Sequence, residues 1–280
     1  MFVDSHCHLN MLDLAPYRTQ ESDNPLAGLS DCLAAARSAG VSGFLCVATD
    51  LVNCETVIAL AAQYPDVLAT VGVHPLQKSA DAQAVTAEQL IDRIRAANRE
   101  ERLVVAVGET GLDYHYCPEK PSWQRARFEA HLQAAIALEM PLIIHSRAAK
   151  AETLALFDAY QIERVGGIMH CYTEDLDMAK RTIDLGFLIS LSGIITFNNA
   201  SALREVVAAL PLDRLLIETD SPYLAPKPYR GRSNEPKYVV EVAKKIAEIK
   251  GVSLERVAEV TTANYHAFIN SASTDSVISS

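Results

Sequence analysis

Eight short runs of apolar and β-branched residues recur along the 280-residue chain, and their spacing constrains the fold more than any other feature. They are FVDSHCHL from Phe2, GFLCVATD from Gly43, LATVGVHP from Leu68, LVVAVGETGLDY from Leu103, PLIIHSR from Pro141, GGIMHCYT from Gly166, FLISLSGII from Phe187 and LLIETDSPYL from Leu215. Near-continuous apolar runs of this kind suit parallel strands covered on both faces. Helical patterns lie between them: Phe128, Leu132, Ala135 and Ile136 in one segment, Val239, Val242, Ala243, Ile246 and Ile249 in another. Eight strands alternating with helices give an α/β chain of the (β/α)8 TIM-barrel class, with its active site at the C-terminal strand ends. The rival doubly wound sheet wants a glycine-rich phosphate loop after an early strand, and the chain has none. No linker, repeat or low-complexity tract divides the sequence. The expectation is one domain over residues 1–270 and a disordered tail over 271–280.

Composition narrows the function classes. Thirty-five acidic residues stand against 25 basic ones, a formal charge of −10. That balance argues against a long, processive grip on duplex nucleic acid, but not against one chain end held in a pocket with local cations. The opening MFVDSHCH carries neither a basic leader nor an apolar signal core, and no run is long enough to span a membrane. The six cysteines (Cys7, Cys32, Cys46, Cys54, Cys117, Cys171) form no C-x-x-C pair and read as thiols of a reducing compartment. The expectation is a cytoplasmic monomer with no membrane attachment and no obligate protein partner.

Within each run the apolar residues come first and the chemically capable residue last. His6 and His8 close the first, His74 the third, Glu109 the fourth, His145 the fifth, His170 the sixth and Asp220 the eighth. On a strand Asp4, His6 and His8 share one face. Asp4 lies deeper, and reads as support that orients an imidazole. Singly, each rim residue has an ordinary alternative: Glu109 a carboxylate satisfied by backbone donors, His145 and His170 core histidines, Asp220 a turn or N-cap residue. Those alternatives would all have to hold at the same end of successive strands. His6, His8, Glu109, His145, His170 and Asp220 form a mixed N/O donor set suited to Zn, Mn, Ni or Fe, with Mg also allowed. It exceeds what one tetrahedral ion needs and points to two divalent ions bridged by a carboxylate. His115, His131 and His266 fall in loop or helical patterns and read as ordinary.

A phosphate would need donors as well. Arg147 follows His145 by two residues and shares its face, and its planar fork suits a pair of phosphate oxygens. His74 is the rim histidine not needed as a ligand. The loop after the eighth run carries Lys227, Arg230, Arg232 and Lys237 against Glu235, either a solvated loop or a phosphate-recruiting lip. Tyr114, Tyr172, Phe197, Tyr223 and Tyr229 fall near the same rim, as packing residues or as surfaces for a base.

Taken together, DSHCHL, GVHP, GETGLDY, IIHSR, MHCY, SGIITFNNA, LLIETDSPYLAP and PYRGRSNEP resemble, in order, the TatD family of metal-dependent deoxyribonucleases within the amidohydrolase-like superfamily. The resemblance implies a two-metal phosphodiesterase in which Glu109 bridges the ions. His6 and His8 would hold one ion, His145 and His170 the other, and Asp220 would bind metal and handle the proton. It further implies 3′-to-5′ exonuclease action on single-stranded DNA ends, in some members RNA. An alternative is hydrolysis of an ester or amide, such as a D-aminoacyl ester on transfer RNA; a non-catalytic binding barrel would lack at least one ligand. The chain departs from the family pattern at Ala148, where an acid is common, at Tyr172-Thr173-Glu174, and at Leu76. All three are places where substrate contacts are expected.

Overall fold

The computed structural model describes residues 1–18 and 23–271; the segment 272–280, where a disordered tail is expected, lies outside the described residues. The eight strands are β1 (Phe2–Cys7), β2 (Val41–Cys46), β3 (Val67–Val71), β4 (Val104–Asp113), β5 (Leu142–Arg147), β6 (Gly167–Met169), β7 (Phe187–Leu191) and β8 (Leu215–Ile217). The helices are α1 (Leu29–Ser38), α2 (Leu51–Gln63), α3 (Ala80–Gln83), α4 (Ala87–Ala97), α5 (Ser122–Leu138), α6 (Lys150–Tyr160), α7 (Leu176–Asp184), α8 (Ser201–Ala209), α9 (Val239–Lys250) and α10 (Leu254–Ser271). The strands form one sheet in chain order, every neighbouring pair parallel. This is the expected (β/α)8 barrel.

Two apolar layers hold it. The larger packs helices against the outside of the strands. The smaller takes residues from every strand, among them Val3, Leu45, Val105, Ile143, Ile168, Leu188 and Leu216, with Leu68 packed against it. A cluster fed by all eight strands can only be the barrel interior. Outside β2 its strand members sit early in their strands, and Tyr265 and Phe268 of α10 join them, so the last helix closes the N-terminal end. The opposite end is left to polar residues. No helix among the described residues is long and apolar enough to cross a membrane.

The seam between β8 and β1 is closed past the end of β8. Asp220 donates its N–H to the His6 carbonyl at 2.9 Å, and His8 donates to the Ser221 carbonyl at 2.8 Å. Asp4, fully buried, works at this seam: Oδ1 accepts the Thr219 N–H at 2.8 Å and Oδ2 the Thr219 hydroxyl at 2.6 Å. The expectation that Asp4 orients an imidazole is therefore corrected. It positions the 219–221 segment that carries Asp220. Burial, against the pull of the Thr219 hydrogen bonds, pushes the Asp4 carboxyl up to about 8, so the group ionises across a range where the unfolded chain is already charged. A folded-state value above the unfolded one means stability is lost as pH rises between them. Asp4→Asn should gain on wild type between pH 5 and pH 8 in chemical denaturation of chelated protein. Asp4→Ala, which orphans the Thr219 N–H, should cost about 2–4 kcal/mol at pH 5, a deficit that shrinks towards pH 8 as wild type loses stability. Equal, pH-independent losses for the two variants would contradict this role.

Candidate metal centre

Two bulges aim the central residues. The β1–β2 register slips between Asp4 and Cys7, and the β4–β5 register slips between Val107 and Thr110. Each adds one residue to its strand, a device that re-aims side chains beside functional sites. The simple alternation that put Asp4, His6 and His8 on one face is thus interrupted at the histidine pair. Glycines allow the second bulge. A Cβ on Gly72 would stand 2.3 Å from the Gly108 carbonyl carbon, and one on Gly111 1.9 Å from the His145 carbonyl oxygen. The strands therefore close tightly around Glu109.

The Glu109 carboxylate, almost fully buried, is the hub. Oε2 lies 3.4 Å from His6 Nε2. Oε1 lies 2.8 Å from His170 Nε2, 3.3 Å from His145 Nδ1 and 3.4 Å from His74 Nε2. Asp220 Oδ1 lies 3.3 Å from His8 Nε2 and 3.7 Å from His6 Nε2. Ligand atoms bound about 2.1 Å from one tetrahedral cation sit roughly 3.4 Å apart, so these separations fit shared cations. Among the described residues, three groups meet the geometry: His6–Glu109–His170, His6–His8–Asp220 and His74–Glu109–His145. His6 Nε2, facing Glu109 and Asp220, is buried without a hydrogen-bond partner, as a nitrogen prepared for a cation would be.

Hydrogen bonds behind the rings fix which nitrogen faces inward. His8 donates from Nδ1 to the Val47 carbonyl at 2.9 Å, leaving Nε2 its lone pair. His145 donates from Nε2 to Asp113 Oδ2 at 3.0 Å, leaving Nδ1 free. His170 turns Nδ1 to the buried Glu218 carboxylate at 3.3 Å and Nε2 inward. His74 differs. Its Nδ1 accepts the Leu76 N–H at 3.1 Å, so the neutral ring keeps its proton on Nε2 and meets Glu109 as a donor. The four histidines other than His74 can offer lone pairs, and His74 cannot without becoming an anion.

Charge follows the same design. Burial works against the Glu109 carboxylate, yet the His170 and His74 rings, with hydrogen bonds from His145 and His170, hold it well below its ordinary range. Burial also opposes charge on His170, but Glu109 and Glu218 draw its pKa well above the ordinary value. For Asp220, burial is outweighed by His8, His6 and His170, and the carboxyl is held down. Burial, and then the neighbouring His170, lowers His6.

Behind the centre, α5 anchors the loop that carries His74. Arg127, 1% exposed, donates to the carbonyls of Pro75 (2.6 Å), Gln77 (2.8 Å) and Ala82 (3.1 Å). Gln124 accepts the Asp113 N–H at 2.9 Å and donates to the Pro75 carbonyl at 3.0 Å. His131 accepts the Val73 N–H at 3.0 Å, an ordinary buried role as expected.

The remaining sequence candidates divide. Arg147 is exposed at the end of β5, its guanidinium 4.9 Å above the Tyr116 ring. Arg230 lies 3.7 Å over Phe197, and Arg232 is exposed. Lys237 is not a free cation of the lip: it pairs with Glu235 at 2.8 Å and Tyr17 at 2.7 Å, and Lys227 bonds Asn198. Of the rim aromatics, Tyr114 and Tyr172 are buried, Tyr229 stacks on Tyr238 at 3.8 Å, and Tyr223 alone is exposed. Sequence reading missed Asp113 and Glu218, the carboxylates behind two histidines, and Tyr116. Asp113 and Glu218 end apolar runs just as the other site residues do, which was the available signal. Ala148 and Glu174, two departures from the family pattern, line one cavity of about 530 Å³ beside β4 and β5.

A barrel whose strand ends converge imidazoles and carboxylates in this way has the architecture of a metal-dependent hydrolase. The family model for TatD related DNase matches residues 3–270, and the chain belongs to that family. It is 43% identical over 263 residues to the uncharacterized metal-dependent hydrolase YcfH of Escherichia coli (strain K12), covering 94% of this chain and 93% of the relative. It is 36% identical over 240 residues to the 3′-5′ ssDNA/RNA exonuclease TatD of Citrobacter rodentium (strain ICC168), covering 84% and 89%. The crystal structure of YJJV, a TatD homologue from Escherichia coli K12, superposes with a TM-score of 0.81 at 30% identity, covering 96% and 98%.

Proposed function

We propose that this metal-dependent hydrolase is a phosphodiesterase that removes nucleotides from single-stranded DNA or RNA ends, in the 3′-to-5′ direction, with two divalent ions. The observation that carries the reading is the Glu109 carboxylate, whose two oxygens face different imidazole groups: Oε2 towards His6, Oε1 towards His145 and His170. The relative named as a 3′-5′ ssDNA/RNA exonuclease supports the substrate class. His6, His8 and Asp220 would hold one ion, His145 and His170 the other, with Glu109 shared; Zn, Mn, Mg and Ni are the metals considered. Bound there, the ions would lower the pKa of water and neutralise charge on the phosphoryl oxygens.

The chain's own groups do the rest. Asp220, held ionised at the rim, accepts the proton of the attacking water and returns it to the leaving oxygen. His74 would turn its Nε2–H from Glu109, once that carboxylate holds the ions, to a phosphoryl oxygen, and Arg147 supplies a second, forked donor. Arg230 and Arg232 recruit the strand further out. Five of the six cysteines are buried and Cys171 partly so, and they take no part.

The test is cleavage of labelled single-stranded DNA, duplex DNA and RNA, alongside a D-aminoacyl ester, before and after chelation. Single-stranded cleavage lost on chelation and restored by Mn²⁺ is expected. Cleavage of the ester alone would overturn the phosphodiesterase reading in favour of an esterase. Arg147→Ala should raise KM for the oligonucleotide about tenfold with unchanged metal content, as expected for loss of a charge-assisted contact. An unchanged KM would remove Arg147 from the site.

A further inference from the structure

Among the described residues, the exposed large apolar side chains are Met1, Val52, Tyr116, Tyr223 and Val252. Two of the five are tyrosines, 59% and 53% exposed, and both stand at the rim of the metal centre. Each is fastened to the centre by its backbone. The Tyr116 N–H donates to Asp113 Oδ1 at 2.9 Å, while the other oxygen of that carboxylate holds His145 at 3.0 Å. The Tyr223 N–H donates to the Asp220 carbonyl at 2.9 Å, and its ring lies 6.1 Å from that of His8. One tyrosine thus belongs to the His145 end of the centre and the other to the His8–Asp220 end, with Glu109 between. The Arg147 guanidinium covers one side of the Tyr116 ring, 4.9 Å away.

Each ring offers a flat apolar face beside a polar site to a partner able to stack on it. A partner that also carries phosphate beside Arg147 and the metal centre is an unpaired strand of nucleic acid. We propose that Tyr116 and Tyr223 are stacking platforms for unpaired nucleobases on the two sides of the reacting phosphodiester. The inference rests on the phosphodiesterase reading and names the feature of the substrate that the site grips. Every base offers a π-face, so the platforms tolerate any sequence, whereas bases within a duplex are already stacked and paired and do not reach them.

The experiment compares KM of Mn²⁺-loaded wild type, Tyr116→Ala, Tyr223→Ala and the matching Phe variants on a single-stranded oligonucleotide and on an abasic strand of equal length. Wild type should prefer the strand with bases. Each Ala variant should raise KM for it on the order of 10- to 100-fold, collapsing the ratio between the two substrates, and the Phe variants should restore that ratio. A ratio unchanged by either Ala substitution, or a Phe variant as impaired as Ala, overturns the proposal. If wild type cleaves no phosphodiester, the phosphodiesterase reading fails. Fluorescence anisotropy of the labelled strand on the same proteins then decides the platforms: tighter binding of the strand with bases, lost in the Ala variants, retains them, and its absence rejects them.

Discussion

Glu109→Gln should lower turnover of a single-stranded oligonucleotide by roughly 10³- to 10⁴-fold, since the ions it shares contribute several kcal/mol of transition-state stabilisation. The substitution keeps the shape of the side chain. It replaces an acceptor that faces imidazoles through both oxygens with an amide that can accept through only one. Its –NH2 group would point at ring nitrogens meant to offer lone pairs. The variant should still fold, but its metal-free form should be less stable than wild type at neutral pH, because the imidazoles that hold the carboxylate below its ordinary range lose their charged partner. Steady-state turnover, calorimetric metal titration and thermal denaturation read the three consequences separately. A variant that kept its metal and its rate would deprive the centre of its hub.

Arg127→Met should be the most destabilising single change near the site, by about 3–5 kcal/mol. The guanidinium is nearly inaccessible and satisfies three loop carbonyls, those of Pro75, Gln77 and Ala82, while resting 4.8 Å from the Trp123 ring. Methionine fills some of the space but leaves those carbonyls without donors in an interior that water does not reach. For a chain of this size the loss corresponds to a fall in Tm of roughly 10 °C. The loop it braces carries His74, so KM for the oligonucleotide should rise while metal stoichiometry stays intact. A Tm within 2–3 °C of wild type would show that the loop is held by other means (about 1 kcal/mol on the same scale).

The barrel was legible because parallel strands buried on both faces write themselves as continuous apolar runs, each ended by a polar residue. The six proposed ligands were legible for a related reason: His8, His170 and Asp220 fall past their strands' ends, His6 one residue before its end, and Glu109 and His145 follow the apolar first halves of β4 and β5. What the period-two pattern could not express is the pair of bulges, at Asp4–Cys7 and Val107–Thr110, since the added residue is visible only against the neighbouring strand. Asp4 was misread on that account. The carboxylates behind His145 and His170 come from other strands, so no local spacing pairs them. Tyr116 looks like any loop aromatic until Asp113, accepting the N–H groups of His115 and Tyr116, turns the chain at the rim. That Asx turn was the one local signal of its placement. Lys237 was counted with the lip although its partner Glu235 stands two residues away; its second partner, Tyr17, lies 220 residues away in sequence.

The most direct measurement of the two-ion centre is anomalous scattering from a crystal soaked in Mn²⁺. Two peaks should appear, one on each side of the Glu109 carboxylate, the first within bonding distance of His6, His8 and Asp220 and the second of His145 and His170. A single peak, or a second one bound elsewhere, would contradict a carboxylate-bridged pair of ions.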